Sequence, residues 1–140
     1  MEGNVVLSLK GRQTYIDQEP DEIELVTEGL LERIGENWQL SYDETQLTGL
    51  EGVHTTFLIE QDKVTLTRTG KLKSQMVFQV GKSHDSLYQV EFGALMITVC
   101  ATKVDAKITA DGGTLDLVYA IEIERNAAGQ IDYHLDISRK

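Results

Sequence analysis

Ile131-Asp132-Tyr133-His134-Leu135-Asp136-Ile137-Ser138 alternates apolar and polar side chains without a break. Just before it, Tyr119, Ile121 and Ile123 alternate with Ala120, Glu122 and Glu124. Successive side chains of an extended chain point to opposite faces, so a period of two means a strand with one dry face and one wet face. The same beat runs outward to the N-terminus. Val5, Leu7 and Leu9 set a first strand at about Asn4 to Lys10. A second covers about Glu22 to Ile34, where Ile23, Leu25 and Leu31 share a face with Thr27 and Gly29. Gly29 is expected to mark a bend or bulge. Trp38, Leu40 and Tyr42 face inward on a third strand, and Val53, Thr55, Phe57 and Ile59 on a fourth. Val64 and Leu66 belong to a fifth, and Leu72, Met76, Phe78 and Val80 to a sixth. A seventh is expected over Leu87 to Phe92 with Tyr88, Val90 and Phe92 as its apolar set, and an eighth carries Leu95, Ile97, Val99 and Ala101. Thr114 to Arg125 and Ile131 to Ser138 complete the series.

Short turns separate these runs. The first is acidic, around Asp17, Glu19, Pro20 and Asp21, and holds the only proline, whose missing donor keeps it out of central strands. Thr48-Gly49-Leu50-Glu51-Gly52, Gln61-Asp62, Gly70, the stretch Gly81 to Ser86, and Gly93 punctuate the middle. Asp111-Gly112-Gly113 is a strong hairpin signal, and Asn126 to Gly129 is expected to turn the chain once more. Nine or ten strands joined this tightly must be antiparallel neighbours. The fold class is therefore all-β: one antiparallel up-and-down barrel of about 8–10 strands, occupying residues 1–140 as one domain. A sandwich is the alternative; the barrel is preferred because the strands are long and their order is simple, whereas sandwiches usually need Greek-key crossovers.

Composition narrows the function classes. A chain of 140 residues can bury its own core, and its 41% hydrophobic content is ordinary for a globular protein. The formal charge of −10 disfavours nucleic acid and anionic membrane surfaces, since both require a basic face. Cys100 is the only cysteine, which excludes an intrachain disulfide and fits a reducing compartment. Glu2 stands where a signal peptide would be basic and no apolar run follows, so a cytoplasmic location is expected.

A resemblance emerges across Trp38 to about Thr102. It is carried by Leu40-Ser41-Tyr42-Asp43-Glu44, by Thr56 to Ile59, and by Val64 to Gly70 with its Arg68-Thr69-Gly70. Met76-Val77-Phe78, Gly81, Tyr88 and Phe92-Gly93 continue it in order and spacing. This pattern resembles the YwiB-like family of small bacterial barrels of unknown function. The resemblance implies a calycin-like (lipocalin-like) barrel and brings no activity, cofactor or catalytic residue. Ligand binding follows from it by fold analogy alone.

Four polar residues break the inward pattern. Glu44 continues the face of Trp38, Leu40 and Tyr42, and Thr55 sits between Val53 and Phe57. Arg68 continues the face of Val64 and Leu66, and Ser74 falls between Leu72 and Met76. An inward guanidinium needs a carboxylate, carbonyls, water or a bound anion, because desolvating it alone costs several kcal/mol. Glu44 is the expected partner, since carboxylate and guanidinium match in geometry. Arg68 and Glu44, with Tyr42, Thr55, Ser74, Trp38 and Phe78, form the candidate ligand-binding set. The alternatives are an internal salt bridge that pins strand register, or an arginine stem that bends out to solvent.

Other signals are weak. His54, His84 and His134 are far apart and lack metal-ligand neighbours, so no metal and no cofactor are expected. The segment Lys63 to Lys82 holds five basic residues and no acidic one, which suits a lysine-blunted sheet edge. The leading expectation is a non-enzymatic barrel that binds a small, partly apolar or anionic ligand. The alternative is an interaction or structural protein that works through its outer surface around a filled barrel. An enzyme at the barrel mouth comes third and would need Arg68 and Glu44 in one cleft with a shifted carboxylate. Monomer and homodimer both stay open, with Val26, Leu30, Leu58, Val77 and Val118 as apolar outward positions.

Overall fold

The computed structural model describes residues 2–15, 19–45 and 50–140, without the side chains of Glu2 and Gly3. Asp17 of the expected acidic loop and Thr48-Gly49 of the later turn lie outside the described residues. The described chain forms ten strands: β1 (Glu2–Tyr15), β2 (Asp21–Ile34), β3 (Asn37–Asp43), β4 (Val53–Ile59) and β5 (Val64–Gly70), then β6 (Ser74–Phe78), β7 (Ser83–Val90), β8 (Gly93–Thr109), β9 (Gly112–Ile123) and β10 (Asn126–Arg139). No helix among the described residues is long and apolar enough to cross a membrane.

All ten strands join one antiparallel sheet in the order β6-β5-β4-β3-β2-β1-β10-β9-β8-β7. Only the pairing of β1 with β10 joins strands distant in sequence, with Leu7 opposite Ile137 and Leu9 opposite Leu135. The fold is thus a nearly closed up-and-down barrel, as the short turns require. Its ends meet at β6 and β7. There, Lys73 and Gln89 exchange backbone hydrogen bonds of 2.9 and 2.8 Å, and the Gln79–Lys82 turn closes the far end. Between those two points residues 74–78 and 83–88 share no ladder pair.

The inward beat builds the core. Leu7, Leu40, Phe57, Val64, Phe78, Val99, Leu115 and Leu135 are fully buried. They pack the half of the barrel that holds the β2–β3, β4–β5 and β6–β7 turns.

The structure corrects several strand readings. β1 continues past Lys10 to Tyr15, and β8 continues to Thr109. The last turn falls at Glu124–Arg125 rather than at Asn126 to Gly129; both residues take positive φ (51° and 69°), as a tight primed hairpin turn demands. Gly29 marks no bulge, since it pairs in register with Val5. It admits close packing instead, because a Cβ there would lie 2.7 Å from the Ser41 carbonyl. β7 turns His84, Ser86 and Tyr88 toward the barrel, while Leu87, Val90 and Phe92 are exposed. Val80 and Leu95 are exposed as well, the first in the turn after β6 and the second beside the β7–β8 tip. Strand phase is local, and these segments overrun the core at its ends.

On the wet face, Lys10, His134 and Asp116 lie level across β1, β10 and β9. His134 contacts Asp116 at 2.5 Å and Asp136 at 3.1 Å. Its hydrogen bond to Asp116, more than its neighbour Asp136, holds the imidazolium above its ordinary pKa. A raised folded pKa contributes stability below the unfolded value of about 6.5 that is lost as pH rises through the folded value. The side chain is 38% exposed, so the effect is small. The urea midpoint of the wild type should exceed that of His134→Gln by more at about pH 5.5 than at about pH 8.5. An unchanged gap would remove His134 from the pH dependence.

Candidate functional site

Tyr42, Thr55, Arg68 and Ser74 form one row across four strands. Tyr42 pairs with Thr55, Thr55 with Arg68, and Arg68 with Ser74. All four stand on the inward phase, so their side chains are neighbours on the inner wall. Glu44 follows Tyr42 by two residues and reaches the same row. Thr55, fully buried, donates to Glu44 Oε2 at 2.5 Å. Arg68 Nε lies 3.8 Å from the same oxygen, within ion-pair range but beyond hydrogen-bond range. The Glu44 side chain is 2% exposed and that of Arg68 19%. The expected carboxylate–guanidinium pair is therefore present, and Thr55 holds its acidic half.

Tyr42, Glu44 and Arg68 of this group border a hollow of about 300 Å³ inside the barrel mouth, whereas Thr55 and Ser74 do not line it. All five tyrosines of the chain line it: Tyr15, Tyr42, Tyr88, Tyr119 and Tyr133. Arg68 and Glu44 supply its charged wall, and Leu9, Met76, Ile97 and Ile121 supply apolar surface. The hollow exists because the inward face of β1 runs Leu9, Gly11, Gln13, Tyr15. An added Cβ at Gly11 would meet nothing within 4 Å. The missing side chain leaves open space opposite Tyr133 and Ile23.

Burial sets the chemistry of these phenols. It pushes Tyr42 and Tyr119 up to about 12 and Tyr133 well above 10, although the nearby Arg68 charge opposes the rise in all three. Near neutral pH they are un-ionised hydroxyls able to donate and accept, with Tyr42 and Tyr133 oxygens 3.5 Å apart. The wall offers hydrogen bonds, aromatic faces and one cation, and none of these three phenols is poised as a base.

Two of the sequence candidates lie elsewhere. Trp38 sits toward the opposite end, opposite Ile59, with the Arg33 guanidinium 5.5 Å from its ring centroid. Phe78 is fully buried and supports the wall from behind, its ring 4.5 Å from that of Tyr119. Tyr15, Tyr88, Tyr119, Tyr133, Gly11 and Gln13 were not among the candidates the sequence offered for the site. No group of three or more potential metal ligands occurs among the described residues. His54 pairs with exposed Asp43 at 2.8 Å.

Fold and hollow together define a nearly closed, ten-stranded up-and-down β-barrel, packed in one half and open to a polar-walled mouth in the other. The chain belongs to the family described as "Domain of unknown function (DUF1934)", whose model matches residues 7–137. Its fold is that of the ywiB protein from Bacillus subtilis, a crystal structure that superposes with a TM-score of 0.84 at 21% identity. The match covers 96% of this chain and 92% of that one. No curated protein matches the chain.

Proposed function

We propose that the protein is a small-molecule-binding barrel of the bacterial cytoplasm, and that its ligand is a compact, partly apolar and anionic organic molecule held in the tyrosine-lined hollow. The convergence of all five tyrosines with Arg68 and Glu44 on one partly open hollow carries this reading. A volume of about 300 Å³ suits a small ligand, and the mixture of apolar wall with a few convergent polar groups is what such sites use. The lone, half-buried Cys100 supports a reducing compartment. A second reading, docking through the outer surface, finds support in Phe92, which is 94% exposed at the β7–β8 tip beside exposed Val90 and Leu95.

Gly11→Leu separates the two. The new side chain enters open space and is expected to raise stability by about 1 kcal/mol, as cavity filling does. It should also exclude the ligand. Native mass spectrometry of protein purified from its own host should show a retained small molecule on the wild type and none on Gly11→Leu. Benzoate and indole-3-acetate should raise the melting temperature of the wild type only. An identical adduct on both proteins, or no adduct and no shift on the wild type, would sink the binding role.

A further inference from the structure

The gap between β6 and β7 holds a second hollow of about 480 Å³. It shares Arg68 with the tyrosine-lined space, so one side chain borders both hollows. Ser74 lines the gap, is 93% buried by its 7% relative exposure, and its Oγ has no hydrogen-bond partner among the described residues. Arg68 Nε is buried and equally without a hydrogen-bonding partner. These residues are direct cross-strand neighbours, so their Cβ atoms lie about 5 Å apart. Two adjacent donors, one carrying a charge, and neither atom hydrogen-bonded among the described residues, match an oxyanion.

The surrounding charges agree. Glu44 lies on the guanidinium at 3.8 Å, with its Oε2 already bound by Thr55. Asp85 lines the gap, but its carboxylate is engaged by Thr98 at 2.6 Å and by Arg125 at 3.1 Å, and the Thr98 hydrogen bond foremost lowers its pKa. Lys73 stands at the rim. His84 Nε2 is also buried without a partner, but farther along. Continuing the Lys73–Gln89 bridge places Ser74 level with Tyr88 and His84 level with Phe78, about 13 Å apart along the strands.

We propose that the β6–β7 seam is the oxyanion subsite of this barrel: a carboxylate or phosphate group enters through the break in the ladder and lies against Ser74 Oγ and Arg68 Nε, while the apolar body of the same ligand occupies the tyrosine-lined hollow. This deepens the binding role proposed above and rests on it only for the ligand's apolar body.

Titrations followed by NMR test the two compartments separately. Inorganic phosphate and benzoate should each shift the Arg68 Nε–H signal saturably and leave the His84 ring unmoved. Phenol, which has no oxyanion, should shift the Tyr119 and Tyr133 ring signals instead. Ser74→Val, which loses a hydroxyl unpaired among the described residues, should weaken phosphate binding by about fivefold, the worth of one hydrogen bond. Ser74→Ala serves if valine disturbs the fold. An Arg68 Nε–H signal indifferent to both oxyanions overturns the subsite, as does equal binding by the Ser74 variants or a response confined to Lys71 and Lys73. Phosphate binding at Arg68 with phenol inert supports the subsite and rejects the hollow. Phenol binding with phosphate inert does the reverse.

Discussion

Gly113→Ala is expected to prevent folding, or to leave a protein weakened by about 4 kcal/mol or more. Gly113 stands between β8 and β10, opposite Ile108 and Ile137. A Cβ at this position would fall 1.8 Å from the Lys107 carbonyl oxygen and 3.0 Å from the Ile108 Cα. Both are backbone atoms within a ladder, so neither can move aside without breaking pairing. Its φ of +150° is also a conformation that side chains other than glycine rarely adopt. Gly113 sits in both ladders of β9, to β8 and to β10, so a local strain loosens the barrel wall on two sides. Gly11→Ala is the control: nothing lies near the added atom, and stability should hold or rise by about 0.5 kcal/mol. Urea unfolding followed by far-UV circular dichroism compares the two. A Gly113→Ala barrel within about 1 kcal/mol of wild type would mean that the β8–β9 hairpin is built in another register.

The same glycines show what periodicity reveals and what it hides. Asp111-Gly112-Gly113 announces a hairpin, and a hairpin is there, but its turn occupies Ala110 and Asp111 while the glycines open β9. A turn signal in sequence cannot separate a need for positive φ from a need for close backbone approach. Phase is legible in a similar, partial way. It turned Tyr42, Thr55, Arg68 and Ser74 inward, and register makes them one row. It also turned Trp38 and Phe78 inward, yet phase carries no information about depth along the barrel axis. Depth puts Trp38 at the far end and Phe78 behind the wall. The hollow left its own trace in Gly11, Gln13 and Tyr15, which keep the inward phase of β1 after the apolar residues stop. An inward face that turns small and polar before its strand ends is the mark of unfilled space. In β7 the inward set is His84, Ser86 and Tyr88; Val90 and Phe92 continue that phase beyond the core and are exposed, as is Leu87 on the other face.

Arg68→Met should cost about 3 kcal/mol of stability, roughly 10 °C in melting temperature for a domain of this size. The loss comes less from the missing attraction than from what stays behind. Glu44, its side chain 2% exposed, would keep the Thr55 hydrogen bond and lose the guanidinium 3.8 Å away. Removing one partner of a buried pair leaves the other charge desolvated and less compensated, whereas removing both can be almost neutral. Glu44→Gln/Arg68→Met should therefore recover most of the loss, and a double-mutant cycle should return a coupling of about 2 kcal/mol. Stability and binding then part company. In the double variant the barrel stands but the hollow has lost its cation, so benzoate should no longer raise its melting temperature, while phenol still should. Glu44→Gln alone keeps the guanidinium and removes the competing carboxylate, so benzoate should bind it more tightly than it binds the wild type. If the double variant holds benzoate as well as the wild type does, Arg68 serves only to fix the register of β4, β5 and β6, and the anion must be sought elsewhere.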